Sequence, residues 1–280
     1  MVQLIKRHPV LSYCALVMVW SFSWWSLILT VVPIGRLFDP PINGVAIGLM
    51  LLGGIGPSLA GLVLTRIVEG NGSVRALLAR LGHWRVGRWW LAPLIPFALN
   101  IALVLLYGKR GGQVVLGEIA QKLGPAIVLG LFAGLSEEFG WRGFLLPQLQ
   151  TRFRPLASAL LIGLIWGGVW HFFANYLGAF GNRGWWGLWL DLVQAPILLS
   201  AYSVMLTWLY NHTRGSMLLC VTFHMAISSS AFLLGPQYPS SSIYLVWAIV
   251  FSALAWVAAG ALVLLARRQE ATWPGTWQRA

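Results

Sequence analysis

The chain has 280 residues, of which 58% are hydrophobic and only 9% charged, whereas a soluble domain carries roughly 25% charged residues. A water-soluble fold would have to expose much of that apolar surface, so the bilayer is the solvent that fits it. The net charge of +12 would suit a nucleic-acid partner, but the basic residues sit at the ends of apolar runs, where membrane topology signals sit, and the expectation is no nucleic acid.

A membrane-spanning helix needs about 20 mostly apolar residues. Eight runs qualify in chain order: Val10–Val32, Gly44–Ile67, Trp89–Tyr107, Pro125–Leu146, Pro155–Leu177, Trp186–Tyr210, Ser216–Leu234 and Ile243–Ala266. The expected fold is all-α, a polytopic membrane helix bundle of about eight transmembrane helices. Residues 1–268 form one membrane-embedded domain and 269–280 a cytoplasmic tail. The first run follows Lys6 and Arg7 as a signal peptide would, but its apolar core is too long and no A-x-A-like cleavage site follows, so a retained helix is expected. Cys14 and Cys220 lie in separate apolar runs and form no CxxC, which points to apolar packing residues and away from a disulfide framework or zinc–thiolate site.

Charge sets the expected orientation. With the N-terminus in the cytoplasm, twelve basic residues fall inside and five outside (Arg36, Lys109, Arg110, Lys122 and Arg183), a positive-inside bias. An even number of spans puts both termini inside, in agreement with Arg267–Arg268 after the last run. Between the second and third runs, Arg75-Ala-Leu-Leu-Ala-Arg80-Leu is basic and amphipathic and is expected at the cytoplasmic lipid surface, near anionic headgroups. Gly111–Gly124 is expected to form a short helix on the outer face. No internal repeat is visible, which weighs against transporters built from inverted repeats.

Chemistry-bearing residues concentrate in three runs. Of seven acidic residues, Glu137 and Glu138 are adjacent in the middle of an apolar segment, where an ionisable group is costly and suggests a functional site. Arg142 lies four residues after Glu138, on the same helix face, and a structural pair accounts for those two. Glu137 lies about 100° round the helix and is left over. A carboxylate facing a cavity is a candidate general base. His171 and His224 lie deep in two further runs, and Ser228 shares the face of His224. Helical rise puts Glu137 about 15 Å from Pro147, His224 about 12 Å from Ser216 and His171 about 24 Å from Pro155, so the third depth disagrees with the first two.

These residues resemble a known family. Glu137-Glu138-Phe-Gly-Trp-Arg142 matches the EExxxR signature of the CPBP family, the CAAX proteases and bacteriocin-processing (Abi) proteins. Trp166-Gly-Gly-Val-Trp170-His171 is similar to its second motif, and His224-Met-Ala-Ile-Ser228 to its third. The resemblance covers about 125–234, the expected catalytic core. Two positions depart from the pattern: Gly167 stands where an aromatic residue is usual, four before the histidine, and Ser228 where asparagine is usual. The resemblance implies an eight-helix fold and peptide-bond hydrolysis within the bilayer of a membrane-associated peptide or protein substrate. Glu137 and His171 would hold and activate a water, His224 and Ser228 would donate to the oxyanion, and Glu138 and Arg142 would brace the site. The family is often labelled metalloprotease, and Glu137, His171 and His224 resemble a zinc ligand set. A metal-free mechanism is favoured, because there is no HExxH and no spare carboxylate base if Glu137 ligates a metal. A non-catalytic scaffold or bacteriocin-immunity protein, and a proton-coupled transporter, are the alternative readings.

Overall fold

Proline and glycine punctuate the helices. The computed structural model describes residues 1–107, 118–235 and 241–267. Every regular element among them is helical, and eight helices are long and apolar enough to cross a membrane. In chain order the α-helices are α1 (Val2–Arg7), α2 (Pro9–Ile28), α3 (Gly44–Gly54), α4 (Gly56–Glu69), α5 (Ser73–Ala79), α6 (Leu94–Tyr107), α7 (Ile119–Gly140), α8 (Leu146–Gln150), α9 (Pro155–Leu164), α10 (His171–His212), α11 (Met217–Leu234) and α12 (Ser241–Arg267), some of which combine to form one span. A wide π turn, Trp141–Leu145, joins α7 to α8, and a second, Ile165–Trp170, joins α9 to α10. The protein is a polytopic helical membrane protein, as its composition required.

The second span breaks at Ile55, between α3 and α4. Pro57 has no N–H, so the Gly53 carbonyl loses its helical donor. Ser21 of α2 donates to that carbonyl at 2.8 Å. Trp20 donates to the Leu52 carbonyl at 2.8 Å and Trp25 to the Met50 carbonyl at 3.0 Å. A freed backbone carbonyl in an apolar medium is expensive, and neighbouring side chains take it up.

The helices that carry the acidic pair approach their neighbours through small residues, as membrane helices do. On α7, Gly130 and Gly134 face α11. A Cβ at Gly130 would lie 2.7 Å from the Met225 carbonyl oxygen, and one at Gly134 would lie 2.5 Å from that of Val221. On its other side α7 crosses α4, where a Cβ at Gly61 would lie 2.7 Å from the Gly140 Cα. Close backbone approach on both sides sets α7 between α4 and α11.

Two expectations change. The fourth span runs over Ile119–Gln150, longer than Pro125–Leu146, and residues 119–124 are the first turns of α7 in place of a separate outer helix; residues 111–117 lie outside the described residues. The fifth and sixth spans run over Pro155–Leu177 and Gly184–His212, as expected, and α10 turns sharply between them at Gly184 (φ 59°, ψ −165°), a conformation open essentially to glycine alone. The basic segment expected on the lipid surface packs onto the end of the bundle. Leu77 of α5 is buried against Gly143 of the first π turn, and Arg80 Nη1 donates to the Tyr210 hydroxyl at 2.7 Å. Arg268, Lys109, Arg110 and the tail over 269–280 lie outside the described residues. Cys14 and Cys220 are free thiols, half-buried and buried.

Candidate active site

The acidic pair sits in the last turn of α7, before the π turn. Glu137 is 6% exposed, and Glu138 and Arg142 are 0% exposed. Arg142 Nη1 donates to Glu138 Oε1 at 3.0 Å, the pair that the spacing predicts. The same Oε1 lies 2.6 Å from His224 Nδ1. His224, on α11, is held by this contact with its Nε2 turned toward the other carboxylate, 3.7 Å from Glu137 Oε1. Glu138 therefore does two things: it neutralises a buried guanidinium and orients an imidazole. A carboxylate bonded to one ring nitrogen determines how the other nitrogen is presented.

Glu137 is not left over. Trp166 Nε1 donates to its Oε2 at 2.7 Å, and Trp141 Nε1 to the same oxygen at 3.1 Å. Trp141 lies four residues after Glu137, the spacing that pairs Glu138 with Arg142. Trp166 comes from the second π turn. Its ring centroid is 5.1 Å from that of His224 and 6.1 Å from that of His171, and the Arg142 guanidinium carbon lies 5.1 Å from it. One indole thus touches every motif: the acidic pair, the second-motif histidine and the third.

His171 opens α10 and is half-buried, its ring also against Trp170, with centroids 5.0 Å apart and nearly perpendicular. Trp170 donates to Ser21 Oγ at 2.8 Å. Ser21 is the residue that caps Gly53, so the helix break in the second span is wired to the turn that presents His171. The depth disagreement eases once the real helix ends are used. The fourth span reaches Gln150, about 20 Å along the axis from Glu137, against about 24 Å from Pro155 to His171. The N-cap of α11, Ser216, is 0% exposed and donates to the His83 carbonyl at 2.7 Å. That helix begins inside the protein, which shortens the count to His224.

The second-motif departure has a structural reason. A π turn holds one more residue than an α turn. Across Ile165–Trp170 the position one turn before His171 is therefore filled by Trp166, five residues back, and not by Gly167. Gly167 meets α10, where a Cβ would lie 2.5 Å from the Ala195 carbonyl oxygen. Ser228 is half-buried on the face of His224. Its neighbours Ser229 and Ser230 are tied elsewhere, Ser229 to the Ala126 carbonyl at 2.8 Å and Ser230 to Asn100 Nδ2 at 3.1 Å.

The structure thus brings Glu137, Glu138, Arg142, His171 and His224 together around Trp166. Trp141 and Trp166 are the site residues that the motif reading missed. The i,i+4 spacing from Glu137 was the available signal for Trp141; the π turn hid Trp166. The hydrogen bonds already made leave Glu137 Oε1 and His224 Nε2 facing each other across 3.7 Å. Glu137 Oε2 is occupied by two N–H donors and Glu138 Oε1 by Arg142 and His224. Among the described residues no group of three His, Cys, Asp or Glu side chains could hold a metal ion.

Residues 119–230 match the model of the family described as type II CAAX prenyl endopeptidase Rce1-like. The chain is also similar to CAAX prenyl protease 2 of Methanococcus maripaludis, with 26% identity over 213 residues, covering 70% of this chain and 76% of that one. The matched segment opens at the start of α7 and closes on α11, so it contains all three motifs. The motif order, the helical membrane fold and both matches agree in their likeness to the CAAX proteases.

Proposed function

We propose that this protein is an intramembrane endopeptidase in which Glu137 activates a water without a metal ion. The observation that carries this reading is the pairing of two buried carboxylates with divided work. Glu138 is committed to Arg142 and His224, while Glu137 keeps Oε1 facing His224 Nε2 across 3.7 Å. A water held by Glu137 Oε1 and His171 gives one proton to the carboxylate as its oxygen bonds to the scissile carbonyl carbon. The carbonyl π electrons move onto oxygen, and His224, in its imidazolium form, donates to that oxyanion from Nε2 with help from Ser228. Collapse of the tetrahedral species expels the amine, which takes the proton that Glu137 received. Preorganised donors in a site closed to bulk water contribute strongly to such a step.

The substrate class follows from the relative's name. A prenylated peptide with a CAAX C-terminus suits a site buried among membrane spans, because the prenyl group partitions into the bilayer beside it. We place the site toward the cytoplasmic side of a cell membrane, following the basic-residue bias. The test uses purified protein in liposomes with a farnesylated CAAX peptide, release of the C-terminal fragment being followed by mass spectrometry. Glu137→Gln keeps the shape of the side chain and removes the base, and cleavage should fall by about 10³-fold or more. Cleavage by Glu137→Gln at the wild-type rate would overturn the reading.

A further inference from the structure

We propose that Trp166 and Trp141 are positioning residues that select which oxygen of Glu137 takes the proton. This deepens the reading of Glu137 as the base and rests on it. An indole nitrogen only donates, and a carboxylate oxygen offers about two acceptor sites. Two indole N–H groups converge on Oε2, at 2.7 and 3.1 Å, and fill it. Oε1 is the oxygen left to meet a water, and it is the one facing His224 Nε2.

Selection is needed because the terminal torsion of a glutamate is broad and roughly two-fold. A free carboxylate in this pocket would exchange its oxygens and scatter any bound water. The two indoles are themselves immobile. Trp166 is 1% exposed and packed between His224 and the Arg142 guanidinium; Trp141 is 0% exposed, its ring centroid 5.5 Å from Tyr13 and 6.0 Å from Trp170. Each comes from a π turn or its border, so the two wide turns aim two donors at one atom from different spans. π turns are rare in helices and gather at functional sites.

The experiment replaces Trp166 with β-(3-benzothienyl)alanine, which keeps the bicyclic ring and its contacts and removes only the N–H. In liposomes with the farnesylated CAAX peptide, kcat should drop roughly 10-fold or more with KM unchanged. Trp166→Phe, the second variant, should show the same split. A benzothienyl enzyme with wild-type kcat, or one changed in KM alone, overturns the proposal. If Glu137→Gln is inactive while the benzothienyl enzyme is fully active, only the positioning role fails. If Glu137→Gln still cleaves, or the wild-type protein cleaves no farnesylated peptide, the base assignment fails and this inference with it.

Discussion

The seam between α7 and α11 and the seam between α10 and α12 both lie within membrane spans, and they are built on opposite principles. At the first, glycines let backbones touch and the interior is polar, with Glu138, Arg142 and His224 bonded in series. At the second, the helices border an open apolar groove of about 310 Å³ lined by Leu190, Val193, Ile197, Ala248 and Ile249. There Trp256 Nε1 donates to the Ile197 carbonyl at 3.1 Å. Lipid tails are as apolar as leucine, so apolar contact alone gives membrane helices little reason to prefer one another over lipid. Close packing and buried hydrogen bonds define a single geometry, which a reaction site needs; an apolar seam tolerates variation because lipid is an acceptable substitute.

The contrast can be broken by substitution. Its largest expected effect is at Arg142. Arg142→Met leaves Glu138 charged without its guanidinium, and removing one partner of a buried pair costs about 3–5 kcal/mol. Thermal unfolding in detergent should show it, with loss of peptide cleavage. Ile249→Ala, on the 60% exposed wall of the apolar seam, should cost under about 1 kcal/mol. Equal losses would erase the distinction.

A smaller effect separates two glycines. A Cβ at Gly140 would run into the Pro57 carbonyl oxygen and the Tyr13 hydroxyl, whereas one at Gly260 meets nothing within 4 Å. Gly140→Ala should destabilise by about 1–3 kcal/mol. Gly260→Ala should be neutral or stabilising by up to about 1 kcal/mol, because alanine is the better helix former. The smallest effect tests the indole tie of the second seam. Trp256→Phe should cost about 1 kcal/mol and leave any cleavage of the farnesylated peptide unchanged. A large activity loss there would mean that the two seams are coupled.

Much of this was legible in the chain. The eight spans follow from apolar runs, and the pairing of Glu138 with Arg142 from a spacing of four. The departure at Gly167 looked like a weakened second motif. It is a change of register: the Ile165–Trp170 turn carries an extra residue and delivers Trp166 to the Glu137 carboxylate. No periodicity argument that assumes 3.6 residues per turn could place Trp166 there. The docking of Leu77 onto Gly143 was likewise hidden, since a short basic amphipathic segment fits a lipid surface and a protein surface equally well.

By itself the sequence determined that this protein is a membrane bundle and which ionisable residues lie within its spans, because apolar length, buried charge and i,i+4 spacing are local properties read within one helix. Only the tertiary structure decided what each carboxylate touches. Glu138 meets His224 from 86 positions away and Glu137 meets Trp166 from 29, contacts created when glycine-lined helices close on α7 and two wide turns re-aim the side chains between them.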